Sequence, residues 1–179
     1  MFIQKHAQAA AKHHKITVLF AYNSNKSSTS CEQDEDLTEL IRTFKRSSFS
    51  LFDKVRLIMY YFQQFRKIKS IDIIHAHVWS NKTIIAYILS VVYNKPILIS
   101  EHWSGYQYSI GFIKKLLMKV VFKRAKKILP VSYFLKKLML NQGIKGSFEI
   151  IGNIIEKQQL KSLNDEIFRF LIVADLRDE

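Results

Sequence analysis

A parallel α/β fold is predicted from three observations. Residues 71–106 run through a short β-branched apolar segment (IDIIHAHV), a helix-length apolar stretch (WSNKTIIAYILSVVYNK) and a second apolar segment (PILISEHWSGY). That order makes a βαβ unit, hence two parallel strands. Glycine (5) and proline (2) are too scarce for a turn-rich all-β chain. A length of 179 residues, 48% hydrophobic and 24% charged, suits one full domain with its own core. The expectation is a parallel sheet with helices on both faces.

The elements follow in order. Residues 3–14 hold good helix formers without a breaker and predict a helix. Because a parallel α/β chain should open on a strand, the fold looks as if its first strand is missing. ITVLFAY, residues 16–22, is a strand. Residues 23–36 are polar, Ser-rich and acidic at their end, and read as a mobile loop around the lone Cys31. Residues 37–46 fit either a short helix or an edge strand. Ser50 and Asp53 form a capping pattern ahead of a helix over 51–69. Its apolar stripe is read as Val55, Ile58, Met59, Phe62 and Phe65, a core face. A strand over 71–78 leads into a buried helix over 80–94, capped by Ser80. The strand over 96–100 carries Pro96 at its first position, where a missing N–H costs least.

After a loop with two glycines, residues 112–124 predict a helix. Ile113, Leu116, Leu117, Val120 and Val121 are read as its apolar face and the lysines as the other. KILPV (127–131) is a strand, and Ser132 caps a helix over 133–142 that Gly143 closes. SFEII (147–151) is a further strand. The domain is taken as residues 1–155, incomplete at its start. Residues 156–166 read as a linker, and 167–179 as the first strand of a second domain that is absent.

Charge narrows the partners. The formal net charge is +13, and between His102 and Phe148 there is no acidic residue. Lysines and arginine from Lys114 to Lys127 favour an anionic partner. A solvated face is the plain interpretation and an anionic membrane surface the next. Nucleic acid is disfavoured, because the aromatics do not interleave with the lysines as stacking platforms would. No apolar run is long enough to span a membrane and no signal-peptide h-region follows the N-terminus. One cysteine excludes an internal disulfide and fits a cytoplasmic, reducing setting.

Both segments of the βαβ unit turn polar at the same end, the first at His75 and His77, the second at Glu101, His102 and Trp103. Ligands of open parallel sheets bind outside the carboxyl ends of the strands. His75 and His77 share a strand face by the period of two. They would serve as a zinc pair only with ligands the neighbourhood does not offer, so a structural pair is favoured. Glu101 either positions His102, accepts an acceptor hydroxyl or pairs with a lysine. Trp103, Tyr106 and Tyr108 fit sugar stacking or a plug over the core. No nucleophile elbow, P-loop or dinucleotide fingerprint is present.

The segments FIQKHAQAA, IDIIHAHVW, PILISEHWSGY, AKKILPVS, IGN and FLIVADLRDE, in that order, resemble the N-terminal half of bacterial glycosyltransferases of family 4. The resemblance implies the Rossmann-like acceptor-side domain of a GT-B enzyme. The whole enzyme would transfer a sugar, with retention, from a nucleotide-sugar donor to a saccharide or lipid-linked acceptor, in polysaccharide or surface-glycan synthesis. It implies no cofactor and no metal, the donor being a co-substrate held mainly by another domain. It casts His102 as the catalytic-site histidine, with Glu101, Trp103, Tyr106 and His77 as acceptor contacts. This chain alone is then expected to be inactive and cytoplasmic, either free or peripheral at the inner face of the plasma membrane. The alternative is a non-catalytic Rossmann-like remnant or partner-binding module.

Overall fold

A computed structural model describes residues 2–48, 50–68 and 70–154. The linker expected over 156–166 and the strand over 167–179 lie outside the described residues. The elements run α1 (Phe2–Ala11), β1 (Ile16–Ser24), β2 (Ser28–Asp34), β3 (Leu37–Lys45) and α2 (Ser50–Lys67). They continue as β4 (Ile74–His77), α3 (Asn81–Val92), β5 (Ile97–Glu101), α4 (Phe112–Arg124), β6 (Lys127–Pro130) and α5 (Tyr133–Asn141). A 3-10 turn, Ser104–Gln107, lies between β5 and α4.

The mixed α/β fold is as expected, with one difference of layout. The strands form two three-stranded sheets, ordered β1-β3-β2 and β4-β5-β6. The second is all parallel, with His77 opposite Ser100 and Glu101 opposite Pro130. In the first, β1 and β3 are parallel and β2 is antiparallel to β3. The stretch expected as a loop therefore holds a strand. A two-residue turn, with Glu35 at φ 39°, folds β2 back on β3, pairing Asp34 with Leu37. Every residue of β2 is exposed, so it shows no alternation of apolar and polar residues for a pattern to detect. The expected strand over 147–151 is reduced to a path beside β6. Ile128 N–H donates to Ser147 O, while Glu149 N–H and Ile151 N–H donate to Ile128 O and Pro130 O.

Two apolar clusters hold these layers. One gathers Ile97, Ile99 and Ile128 from the parallel sheet with Met118 and Phe122 of α4 and Leu135 and Met139 of α5. The other packs Tyr61 and Phe65 of α2 and Ile85 and Leu89 of α3 around Ala21 of β1. The Tyr61 hydroxyl accepts the buried Ala21 N–H at 3.0 Å. Burial raises its pKa to about 12, so it stays a neutral phenol.

Three expected helix faces differ. In α2, Val55, Ile58 and Met59 are exposed, and the inward row is Asp53, Leu57, Tyr61 and Phe65. Asp53 does anchor the helix start, but it accepts the Ser47 N–H and pairs with Arg56 at 2.8 Å. In α3, Val91 and Val92 are exposed at the last turn. In α4, Met118, Val121 and Phe122 face the core, while Ile113, Leu116, Leu117 and Val120 face solvent. All three helices are apolar on more than one side. Periodicity then admits several inward faces, and the neighbouring elements choose one.

The Ser80 and Ser132 caps are as expected. The Ser80 side chain accepts the Lys82 N–H, and Thr83 Oγ1 accepts the Ser80 N–H, a capping box. Ser132 Oγ accepts the Leu135 N–H at 3.1 Å. Gly143 sits at φ 75°, where a side chain would be strained.

Candidate functional site

The site is built where β4 and β5 end. In paired parallel strands, residues at matched register share a face and successive residues alternate. His75 and His77 therefore lie on the same face as Ser100, and His102 continues that row. Glu101, one residue away from both, points through the sheet into the core. A rim reading that gathers Glu101 and His102 on one side passes over this alternation.

On the histidine face, the His75 and His77 rings lie 4.1 Å apart between centroids. His75 Nε2 and Ser100 Oγ share a hydrogen bond at 2.8 Å. His6, from α1, brings a fourth imidazole, its ring 6.3 Å from that of His77. Desolvation and the neighbouring imidazoles push His77 down to about 3. Desolvation and His6 push His102 down to about 4. His75 moves the same way for the same reasons, although it remains exposed and solvent tempers the effect. The face thus presents neutral imidazoles at pH 7, able to donate and accept hydrogen bonds but poor reservoirs of positive charge. Among the described residues no group of three His, Cys, Asp or Glu has metal-holding geometry.

On the opposite face, Glu101 is fully buried. Its Oε1 accepts the N–H groups of His102 and Trp103, both at 2.9 Å. Its Oε2 accepts the Trp79 N–H at 3.0 Å and the Tyr106 hydroxyl at 2.8 Å. Four donors converge on one carboxylate from the loops after β4 and after β5. Burial raises the Glu101 pKa, and the hydrogen bonds work against that rise. Tyr106 is 1% exposed, and burial with the adjacent carboxylate raises its pKa. Neither residue offers a surface to an acceptor, in contrast to the contacts expected from the sequence. Both instead hold the loop that carries His102 and Trp103. Gln142, the C-cap of α5, clamps the same loop by donating from Nε2 to Tyr106 O and Tyr108 O.

Trp103 is half-buried and fixed on several sides. Its ring packs edge-on against Tyr106 with centroids 5.0 Å apart, and Lys114 Nζ sits 4.1 Å from its centroid. A Cβ on Gly105 would fall inside the indole, so only glycine leaves the ring in this seat. Tyr108 is 67% exposed and lies outside this packing. Val78 is the other special position. It has φ 61°, a left-handed conformation that a β-branched residue rarely adopts. The strand expected to reach Val78 ends at His77. The turn at Val78 is held by its N–H to Ser100 O and by Thr83 Oγ1 donating to its carbonyl at 2.6 Å. It aims the Trp79 N–H at Glu101. His6, Ser100, Trp79 and Val78 were not singled out from the sequence. Only Ser100 carried a signal, its spacing of two from His102.

A cleft of about 300 Å³ lined by Ser90, Asn94, Lys95, Pro96, Arg124 and Lys126 lies at the amino end of β5. It contains none of these residues. The histidines gather at the other end of the strands.

A family model described as Glycosyltransferase Family 4 matches residues 2–159. The chain belongs to glycosyltransferase family 4. That membership gives it a sugar-transfer role, and the α/β fold with its parallel sheet agrees with it. A search of curated proteins gives no match. In this family-4 chain the parallel sheet delivers His77 and His102 to one rim, and Glu101 secures the loop between that rim and the core.

Proposed function

We propose that this chain is the acceptor-side domain of a retaining, hexosyltransferase-like enzyme. The donor is a nucleotide sugar held by a second, donor-binding lobe, and the acceptor is a saccharide or a lipid-linked saccharide. The observation that carries the proposal is the row of His77, Ser100 and His102 at the carboxyl ends of parallel strands, its imidazoles neutral, with Trp103 next in the chain after His102. Hydroxyl-rich ligands suit such a surface, since neutral imidazoles both donate and accept and an indole face stacks on a sugar ring. His102 is the residue nearest the reacting sugar, acting by hydrogen bonding and local electrostatics. His77 and Trp103 hold the acceptor. Glu101 and Tyr106 are positioning residues. The transfer needs no metal and no cofactor beyond the donor, and this chain alone does not turn the donor over. The setting is the cytoplasmic side of the plasma membrane, in polysaccharide or surface-glycan synthesis, since a strongly basic surface suits an acceptor carried on anionic lipid.

Histidine-resolved NMR of the chain, titrated with saccharide acceptors, tests this. The resonances of His77 and His102 are expected to move together, and His102→Ala is expected to weaken binding. Histidine signals that ignore every acceptor, or donor turnover by the chain alone, would contradict it. A second reading, a partner-binding module, is favoured by one observation. The edges of β1 and β4 that face away from β3 and β5 have no strand partner among the described residues. A stable complex formed through those edges, without any acceptor binding, would support that reading instead.

A further inference from the structure

The outer edge of β2 is open. β2 is the last strand in the order β1-β3-β2, and among the described residues no strand pairs beyond it. Sheet edges are ordinarily blunted by proline, lysine, a bulge or a covering element. The strand STSCEQD has no proline and no lysine, every residue of it is exposed, and it pairs with β3 one to one without a bulge. Hydrogen-bond parity decides which groups face out. Ile16 N–H donates to Asp36 O and Arg46 N–H to Ser24 O, so the even-numbered residues of β3 serve β1. The odd-numbered ones, Leu37, Glu39, Ile41 and Thr43, serve β2 through Asp34, Glu32, Ser30 and Ser28. Successive residues of a strand alternate in this respect. The N–H and C=O groups of Thr29, Cys31 and Gln33 are therefore left on the open edge.

We propose that β2 is a dimerisation strand, pairing antiparallel with β2 of a second copy about a two-fold axis at Cys31. The two three-stranded sheets then join into one. The inference rests on β2 and not on the sugar-transfer reading. Spacing and charge select a second copy as the occupant. Cys31 is the middle residue of the strand, so the two-fold sets it opposite itself and sets Thr29 opposite Gln33. Every outward residue of one copy then meets an outward residue of the other, and each pair exchanges N–H···O bonds in both directions. The carboxylates Glu32, Asp34, Glu35 and Asp36 crowd one end of the strand, and Lys26 lies beyond the other. Antiparallel pairing brings Lys26 toward Asp36 of the second copy. Parallel pairing would instead set Glu32 beside Glu32. One strand pair is smaller than a standard interface, so the dimer is weak and concentration-dependent.

Sedimentation and amide hydrogen exchange of the full chain, from micromolar to millimolar concentration, test the proposal. A monomer–dimer equilibrium is expected, with exchange at Thr29, Cys31 and Gln33 slowed in proportion to the dimer fraction. Gln33→Pro removes an outward N–H and leaves the bonds to β3 in place. It should stay monomeric with an unchanged circular dichroism spectrum. Lys26→Glu should weaken the dimer several-fold, and Lys26→Glu/Asp36→Lys should restore it. Diamide, which takes two protons and two electrons from two thiols, should link the dimer through Cys31. Opposed α-carbons in a hydrogen-bonded pair lie about 5.5 Å apart, within the span of a disulfide. A chain that is monomeric at millimolar concentration overturns the proposal. So does a dimer that survives both Gln33→Pro and Lys26→Glu, which places the contact on another surface. Slow exchange of the three amides in a monomer also overturns it, by placing another segment of the same chain on the edge.

Discussion

Glu101 shows how one side chain couples two loops. Its carboxylate accepts from Trp79 after β4 and from His102, Trp103 and Tyr106 after β5. Glu101→Gln keeps the shape but turns an amide NH2 toward at least one backbone N–H that can only donate. The expected cost is about 1–3 kcal/mol, read as a lower midpoint in denaturant, together with shifted His102 resonances that a purely global destabilisation would leave in place. Val78 stores strain at the other loop. Val78→Gly is expected to stabilise by up to about 1 kcal/mol. A loss instead would mean that the valine side chain packs better than its backbone suffers. Gly105→Ala forces the Trp103 indole from its seat, so intrinsic tryptophan fluorescence should change even where the fold survives. An unchanged spectrum would show that the ring has another resting place.

At the scale of elements, the helix starts obey local rules and the helix faces do not. Ser132 caps α5 through the Leu135 N–H. Ser132→Ala should therefore cost about 1 kcal/mol, measured by chemical unfolding, with no change at the histidine rim. The faces of α2 and α4 depend on which neighbour is present. Leu57, Tyr61 and Phe65 were chosen by β1 and α3, and Met118 and Phe122 by β5 and β6. Ile58 and Leu116 are as apolar as those residues and have the same period, yet they face outward. β2 teaches the complementary lesson: exposed on both sides, it leaves no alternation in its residues, and only its pairing with β3 reveals it as a strand.

At the scale of the molecule, four histidines from α1, β4 and the loop after β5 converge, and acid should act on the whole fold through them. His77 and His102 titrate near 3 and 4 when folded, against about 6.5 in an unfolded chain. Above that value both states are neutral and these groups add no pH dependence. As pH falls from about 6.5 toward 3, the unfolded chain takes up protons first, so stability falls. Below about 3 their contribution levels off. Unfolding midpoints measured across that window should drop with acid, and His77→Gln should flatten the slope. A midpoint independent of pH from 7 to 4 would show that the imidazoles are solvated rather than clustered.

Much of this was written locally. The βαβ rhythm of residues 71–106, the Ser80 and Ser132 caps and the run of residues without a carboxylate between His102 and Phe148 determined by themselves a parallel sheet with its polar ends on one side, and a basic surface. Such features depend on neighbours along the chain, and so does a period of two. The meeting of His6 with His77, the burial of Glu101 under four donors, the turn at Val78 and the outward face of α4 were decided only in three dimensions. Each depends on which surfaces come to lie together, and an apolar or polar side chain carries no record of which of several possible neighbours it will meet.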